Sequence, residues 1–446
     1  MYNLRYILLL TLAAAFGGFL FGYDTAVIAG AIGFLRAHFN LSAGLTGWAA
    51  SSVLVGCMVG AFLGGPFGDR FGRKPSLLLC ALLFALSSVA SAVPETLGQF
   101  AWARFAGGMA IGAASILSPI YIAEVSPEKI RGRLVALYQL AIVIGILTVY
   151  FVNLQIQRLG NESWNVDWGW RWMFASLVIP SALFGLLLAF VPESPRWLMK
   201  KGSKQQAWRI LVKIGGKRNA ETELKSIETA LQEEQGTWKE IFSTGYSRAL
   251  LIGSLLAIFS QFSGINSIMY YAPEIFKAAG SGTDSAFVQT VTVGAVNLLF
   301  TLVAVLFVDK AGRKPLLILG TAIQAVSLAC VGYFITTPGQ GWLLLFSILT
   351  FAAAFNMALG PISWIVNSEI FPTKLRGRAM GITTSLLWLA CYLVSQTFPM
   401  LVDGIGPSWT FWLYALCSLA TMVFVIKMVP ETKGRTLEQI EANWRR

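Results

Sequence analysis

The chain has 446 residues, of which 56% are hydrophobic and only 13% charged, with a mean hydropathy of +0.65. A soluble globular chain carries about a quarter charged residues, which sets aside a soluble enzyme and, with it, the disordered, fibrous and disulfide-scaffold classes. The net charge of +12 would suggest nucleic acid on a soluble protein, but on a membrane chain it is read from where each charge lies, and no nucleic-acid partner is expected.

Apolar runs between polar breaks predict twelve membrane-spanning helices, near residues 6–33, 44–67, 75–93, 97–124, 134–156, 169–191, 248–277, 286–308, 315–336, 341–366, 379–402 and 409–429. Each is close to or above the roughly 20 residues that a bilayer requires. Arg5 precedes the first run, but no small-residue cleavage site follows and the run continues through Asp24, so it reads as a membrane helix and not as a removable signal. The chain divides into a six-helix bundle at 1–192, a polar linker at 193–247, a second six-helix bundle at 248–429 and a tail at 430–446. The linker is rich in Lys, Glu and Gln and is expected to form short amphipathic helices on the membrane surface. Cys57, Cys80, Cys330, Cys391 and Cys417 lie in or at the ends of apolar runs and read as small core residues.

With the N-terminus inside, Arg36, Arg158, Arg171 and Lys277 fall outside, Arg104 falls within a span, and all other basic residues fall on the inner face. That asymmetry predicts both termini in the cytoplasm.

The two halves repeat each other. Gly68-Asp69-Arg70-Phe71-Gly72-Arg73-Lys74-Pro75 is answered by Asp309-Lys310-Ala311-Gly312-Arg313-Lys314-Pro315. Glu124 followed by Arg131-Gly132-Arg133 is answered by Glu369 followed by Arg376-Gly377-Arg378, and Pro192-Glu193-Ser194 by Pro430-Glu431-Thr432. Three landmark pairs in one order at a nearly constant offset argue for duplication. An even number of spans in each half makes the repeats parallel, with a site expected at the bilayer midplane between them.

With Gln261-Phe262-Ser263-Gly264-Ile265-Asn266 and Gly360-Pro361-Ile362-Ser363-Trp364 added, these motifs give the chain a resemblance to the sugar porter branch of the major facilitator superfamily over almost its whole length. The resemblance implies an all-α polytopic membrane protein with twelve transmembrane helices in two six-helix parallel repeats. It also implies alternating-access import of a monosaccharide with a proton, by a monomer in the plasma membrane. A facilitative uniporter or a non-transporting sugar sensor is the alternative within the same fold. No nucleophile–base constellation, metal-ligand cluster or phosphate loop is present, so neither an enzyme nor a cofactor is expected.

A sugar is all hydroxyl and requires amide and indole partners at membrane depth, with aromatic faces against its ring. Gln139, Gln261, Asn266 and Asn297 are amides inside spans, Trp364 and Trp388 add indoles, and Phe21 and Tyr270 can close the cavity. Each amide can equally bond a neighbouring helix; the resemblance places Gln139, Gln261 and Asn266 at sugar contacts. Gly264 and Gly360-Pro361 are expected to break their helices beside the cavity.

Asp24 and Arg104 are charges inside spans, which marks a functional site by default. By resemblance they form the pair whose carboxylate takes up a proton; a permanent structural ion pair is the alternative. The resemblance also assigns Asp69, Arg73, Glu124, Arg131 and Glu193, with Asp309, Arg313, Glu369, Arg376 and Glu431, to an inner-face latch. Ser260 stands where relatives carry the first Gln of a pair, Ile146 and Leu387 where some carry Gln, and Leu177 where some proton-coupled members carry an acid.

Overall fold

The computed structural model describes residues 2–127, 130–232, 238–242, 246–371 and 373–433. Parts of the expected linker and most of the expected tail lie outside these residues. Among them, twelve helices are long and apolar enough to cross a membrane. In chain order these spans are Leu4–His38, Ala43–Phe71, Arg73–Ala92, Leu97–Val125, Arg131–Gln157, Glu162–Phe190, Ser247–Ala278, Thr283–Ala304, Arg313–Phe334, Gly341–Asn367, Gly377–Ile405 and Pro407–Met428. The sixth begins seven residues before its apolar run (162 against 169), because Asn161 caps it through Oδ1, accepting from Trp164 N at 2.9 Å. A cap opens a helix in a polar stretch that hydropathy alone assigns to a loop. The linker holds the helices Pro195–Lys200, Lys204–Gln232 and Trp238–Ile241.

Several spans are interrupted, and at two of the breaks a side chain adds a hydrogen bond to a backbone carbonyl. The seventh breaks at Gly264, whose φ of +81° favours glycine; a Cβ there would also lie 2.5 Å from the Tyr414 ring. In the tenth the break falls at Ala358, two residues before the expected Gly360. Pro361 explains the offset, since it has no N–H to return to the Met357 carbonyl one turn earlier. In the first, interrupted at Val27, the carbonyl of that residue accepts from Asn153 Nδ2 at 3.1 Å as well as from the Gly30 N–H at 3.3 Å. In the sixth, interrupted after Ala175, Ser88 Oγ donates to Phe174 O at 2.6 Å. Irregular backbone at depth persists only where such partners exist.

The chain forms two compact units. One comprises Met1–Thr25, Gly56–Ile146 and Phe174–Glu234. Within it Gly56, Gly60 and Gly64 lie on one helix face, and a Cβ at Gly56 or Gly60 would come within 2.1 or 2.2 Å of carbonyl oxygens on the fourth span. Only small residues allow that backbone approach.

The second unit comprises Ala26–Val55, Leu147–Met173 and Gln235–Arg446, so it joins stretches of the first half of the chain to the second half. Ser51 Oγ donates to Gln396 Oε1 at 2.8 Å, and Gln396 Nε2 donates to Gly44 O at 2.9 Å. Tyr150 OH donates to Met269 O at 2.7 Å, and Arg158 forms a two-point bridge with Asp284.

Candidate functional site

In the first unit, Asp24 and Arg104 meet in full burial, at 0% and 1% exposure. Arg104 Nη1 donates to Asp24 Oδ1, and Nη2 donates to the backbone oxygen of the same residue at 2.8 Å. The guanidinium also lies 5.2 Å from the centroid of the Phe174 ring, a cation–π contact. Asp24 Oδ2 and Arg104 Nε make no hydrogen bond among the described residues. Oδ2 faces Gly107, where a Cβ would lie 3.1 Å away, so glycine leaves this oxygen room. Leu177 is buried at 2% exposure and leaves the sixth span without a carboxylate there.

In the second unit, the amides of the seventh span form a chain. Ser260 Oγ donates to Ala257 O at 2.7 Å and accepts from Gln261 Nε2 at 3.0 Å, while Gln261 Oε1 accepts from Asn266 Nδ2 at 2.5 Å. Asn266 Nδ2 also reaches Cys391 Sγ at 3.1 Å, and the Tyr270 hydroxyl hydrogen-bonds the same sulfur. Ser260 therefore orients Gln261. Cys391, read from sequence as a small core residue, is also a hydrogen-bond acceptor.

A second polar group surrounds Asn297, which is 2% exposed. Its Oδ1 accepts from Asn356 Nδ2 at 2.6 Å and its Nδ2 reaches Met269 Sδ at 3.2 Å; Thr301 Oγ1 donates to Asn356 Oδ1 at 3.2 Å. Asn356 escaped the sequence reading, although an intramembrane amide four residues before Gly360 carries the same signal as Asn297. Trp388 is buried at 4%, whereas Trp364 is 40% exposed. Gln139 and Phe21, both in the first unit, are partly buried.

The duplicated charges fold into the same pattern twice, once in each unit. In the first, Arg73 clamps Glu124 through Nε at 3.1 Å and Nη2 at 3.0 Å, and its Nη1 donates to Asp69 Oδ1 at 2.7 Å. Glu193 accepts from the backbone N–H of Arg73 at 3.0 Å, and Ser194 Oγ donates to Glu124 Oε2 at 2.5 Å. Lys200 joins Asp69 at 3.0 Å. In the second unit Arg313 Nη2 donates to Glu369 Oε1 at 3.2 Å, and Glu431 accepts from the N–H of Arg313 at 3.2 Å and of Lys314 at 3.0 Å. Thr432 Oγ1 donates to Glu369 Oε2 at 2.5 Å. Ser194 and Thr432, each following the repeated Glu, belong to the duplicated motif but had no role assigned from sequence. Arg131 is exposed and outside the first network, and the side chains of Asp309 and Arg376 lie outside the described residues.

Two equivalent carboxyls differ electrostatically. Burial pushes the Glu193 carboxyl above its ordinary value, against the backbone N–H groups of Ser194, Arg73 and Lys74 that favour the anion. Burial opposes ionisation of Glu431 as well, but the N–H groups of Lys433, Lys314 and Arg313 outweigh it and hold that carboxyl below its ordinary value.

Twelve apolar helices, a buried ion pair and intramembrane amides define a multi-pass membrane transporter. The family model for sugar (and other) transporters matches residues 10–444. The arabinose-proton symporter of Bacillus subtilis is 46% identical over 447 residues, covering 99% of this chain and 96% of that protein. The D-xylose-proton symporter of Escherichia coli is 44% identical over 476 residues, again covering 99% and 96%. The solved inward open conformation of the xylose transporter XylE from E. coli aligns with a TM-score of 0.88 at 42% identity, covering 98% of this chain and 100% of that one. The chain belongs to the sugar transporter family and has the major facilitator fold.

Proposed function

We propose that this protein imports a monosaccharide together with a proton by alternating access, acting as a monomer in the plasma membrane with both termini in the cytoplasm. Arabinose and xylose, the sugars for which the two similar symporters are named, are the first candidate substrates. The observation that carries the reading is the Asp24–Arg104 pair: a fully buried carboxylate with one oxygen bonded to Arg104 and the other without a hydrogen bond among the described residues. Protonating Asp24 cancels its attraction for Arg104, so binding of the proton changes the helix contacts that the guanidinium makes.

Gln261, Asn266 and Asn297 are proposed as sugar contacts because a polyol can replace the side-chain bonds that now link them. Gln139, Trp364, Trp388, Phe21 and Tyr270 complete that assignment. The charge networks centred on Arg73, with Asp69, Glu124 and Glu193, and on Arg313, with Glu369 and Glu431, are proposed to hold the inner gate; Arg131, which lies outside the first network in this conformation, is proposed to join it during gating, and Asp309 and Arg376 complete the assignment. Bistable polar contacts of this kind let two conformations interconvert. The two six-helix repeats, 1–192 and 248–429, are the moving bodies of that cycle.

Counterflow of labelled arabinose, xylose and glucose in proteoliposomes, with and without a pH gradient, tests the proposal. Saturable counterflow of at least one pentose, with accumulation only when the gradient is imposed, is the expected result. Accumulation indifferent to the gradient replaces symport by facilitation, and absence of counterflow for every sugar removes the transport assignment.

A further inference from the structure

We propose that a cavity of about 280 Å³ in the first unit binds a small phosphorylated polyol, of the chemical class of a sugar phosphate. It is bounded by the end of the fourth span, the start of the fifth and the linker helix Lys204–Gln232. The linker turns at Gly216, where φ is +77°, and Leu211, Ala220 and Leu224 from the two sides of that turn pack into their own apolar cluster. The N-terminal segment closes another side: Asn3 N donates to Ile214 O at 2.9 Å, and Tyr2 lines the cavity.

The lining chemistry selects the ligand. Arg131 and Arg196 come from different elements, and among the described residues neither has a hydrogen-bond or ion-pair partner. The Glu124 carboxylate that borders them is already committed to Arg73 and Ser194. Two guanidiniums without a partner among the described residues, beside the N-terminus of a 27-residue helix, are suited to a phosphoryl dianion.

Ser126 supplies an independent observation: it is 5% exposed, lines the cavity, and its hydroxyl has no hydrogen-bond partner among the described residues. A buried hydroxyl left unpaired is costly, so a group in the cavity that bonds it is favoured. Glu223 and Asn219 line the cavity as well and are suited to hydroxyls, with Glu223 disfavouring a bare anion. A phosphoryl group on the arginines with hydroxyls towards Ser126, Asn219 and Glu223 satisfies both kinds of lining.

Because Glu124 both lines the cavity and binds Arg73, occupancy acts directly on the charge network. The ligand's role as feedback from sugar phosphorylated inside the cell rests on the cytoplasmic placement proposed above; its binding does not. A lipid headgroup offers the same phosphoryl chemistry and is separated by the test.

The experiment is calorimetric titration of the full chain in phosphatidylcholine nanodiscs with glucose 6-phosphate, glucose or inorganic phosphate, alongside phenylglyoxal labelling of Arg196 read by peptide mass spectrometry. Saturable binding of glucose 6-phosphate is expected, about tenfold or more tighter than either fragment and weakened about tenfold in Arg196→Gln, the scale of losing one charge-assisted contact. Ser126→Ala should weaken it by a smaller factor. Glucose 6-phosphate should protect Arg196 in the unsubstituted chain, which keeps the test decisive if the variants do not fold. Equal affinity for glucose and glucose 6-phosphate, or no protection, overturns the proposal. Protection by phosphatidylglycerol nanodiscs without glucose 6-phosphate binding in either lipid assigns the site to a headgroup and overturns it too.

Discussion

Arg104 grips Asp24 twice, through one carboxylate oxygen and through the backbone oxygen of the same residue, so only one of its two bonds to the first span depends on the charge of the carboxylate. In the coupling role proposed for the pair, protonation of Asp24 would remove the ionic contact and leave the bond to the backbone oxygen. Removing one member of a buried pair outright commonly costs about 3–5 kcal/mol, so isosteric neutralisation is the informative substitution.

Asp24→Asn is expected to retain sugar binding and counterflow, which require no net proton cycle, and to lose accumulation driven by a pH gradient. Leu177 offers no second acid at its sixth-span position. Radiolabelled uptake in proteoliposomes measures both activities, and gradient-driven accumulation at the level of the unsubstituted protein would falsify the coupling role.

Gln261→Ala and Asn266→Ala should each weaken sugar binding by about 1–3 kcal/mol, the usual cost of leaving a buried polar group unsatisfied. Ser260→Ala should give a smaller loss, because Ser260 orients Gln261 through a 3.0 Å bond. Calorimetry with the transported sugar ranks the three variants. Unchanged affinity in both amide variants would remove the seventh span from the site.

The two charge networks should respond unequally. Glu124 has a side-chain exposure of 8% and Glu369 of 25%, so stranding Glu124 with Arg73→Gln should lower thermal stability more than stranding Glu369 with Arg313→Gln. Both variants should shift the population towards inward-facing states. Scanning fluorimetry reads the first effect and cysteine accessibility labelling the second; an equal loss of stability, or no shift in labelling, contradicts the assignment.

Glu193 and Glu431 should give pH dependences of opposite sign. With its carboxyl raised by burial, folded Glu193 holds its proton more tightly than the unfolded chain does, so its contribution to stability is present below the ordinary carboxyl value and is lost as pH rises through the folded value. Glu431, lowered by backbone N–H groups, contributes above the ordinary value and loses that contribution as pH falls. Melting temperatures of the unsubstituted protein relative to Glu193→Gln should therefore fall as pH rises from acid to neutral, and relative to Glu431→Gln should rise. The same sign for both would contradict the contrast in burial and bonding.

The number of spans and the duplicated charges were legible in the sequence because both are properties of local order. An apolar run of bilayer length has few places to go, and Gly72-Arg73-Lys74 and Gly312-Arg313-Lys314 announce the same turn twice. Asp24 and Arg104 were also legible, since a charge within an apolar run is conspicuous wherever its partner lies.

Which side chains meet was decided only by the packed helices. Asn356 bonding to Asn297, Cys391 accepting from Asn266, and Asn153 reaching the Val27 carbonyl each depend on the rotation and axial shift of one helix against another. The grouping of residues 26–55 and 147–173 with the second half has the same origin. A hydropathy pattern fixes how long a helix is and, weakly, which face is apolar; partner choice on that face is set by close packing with other helices, which no local pattern encodes.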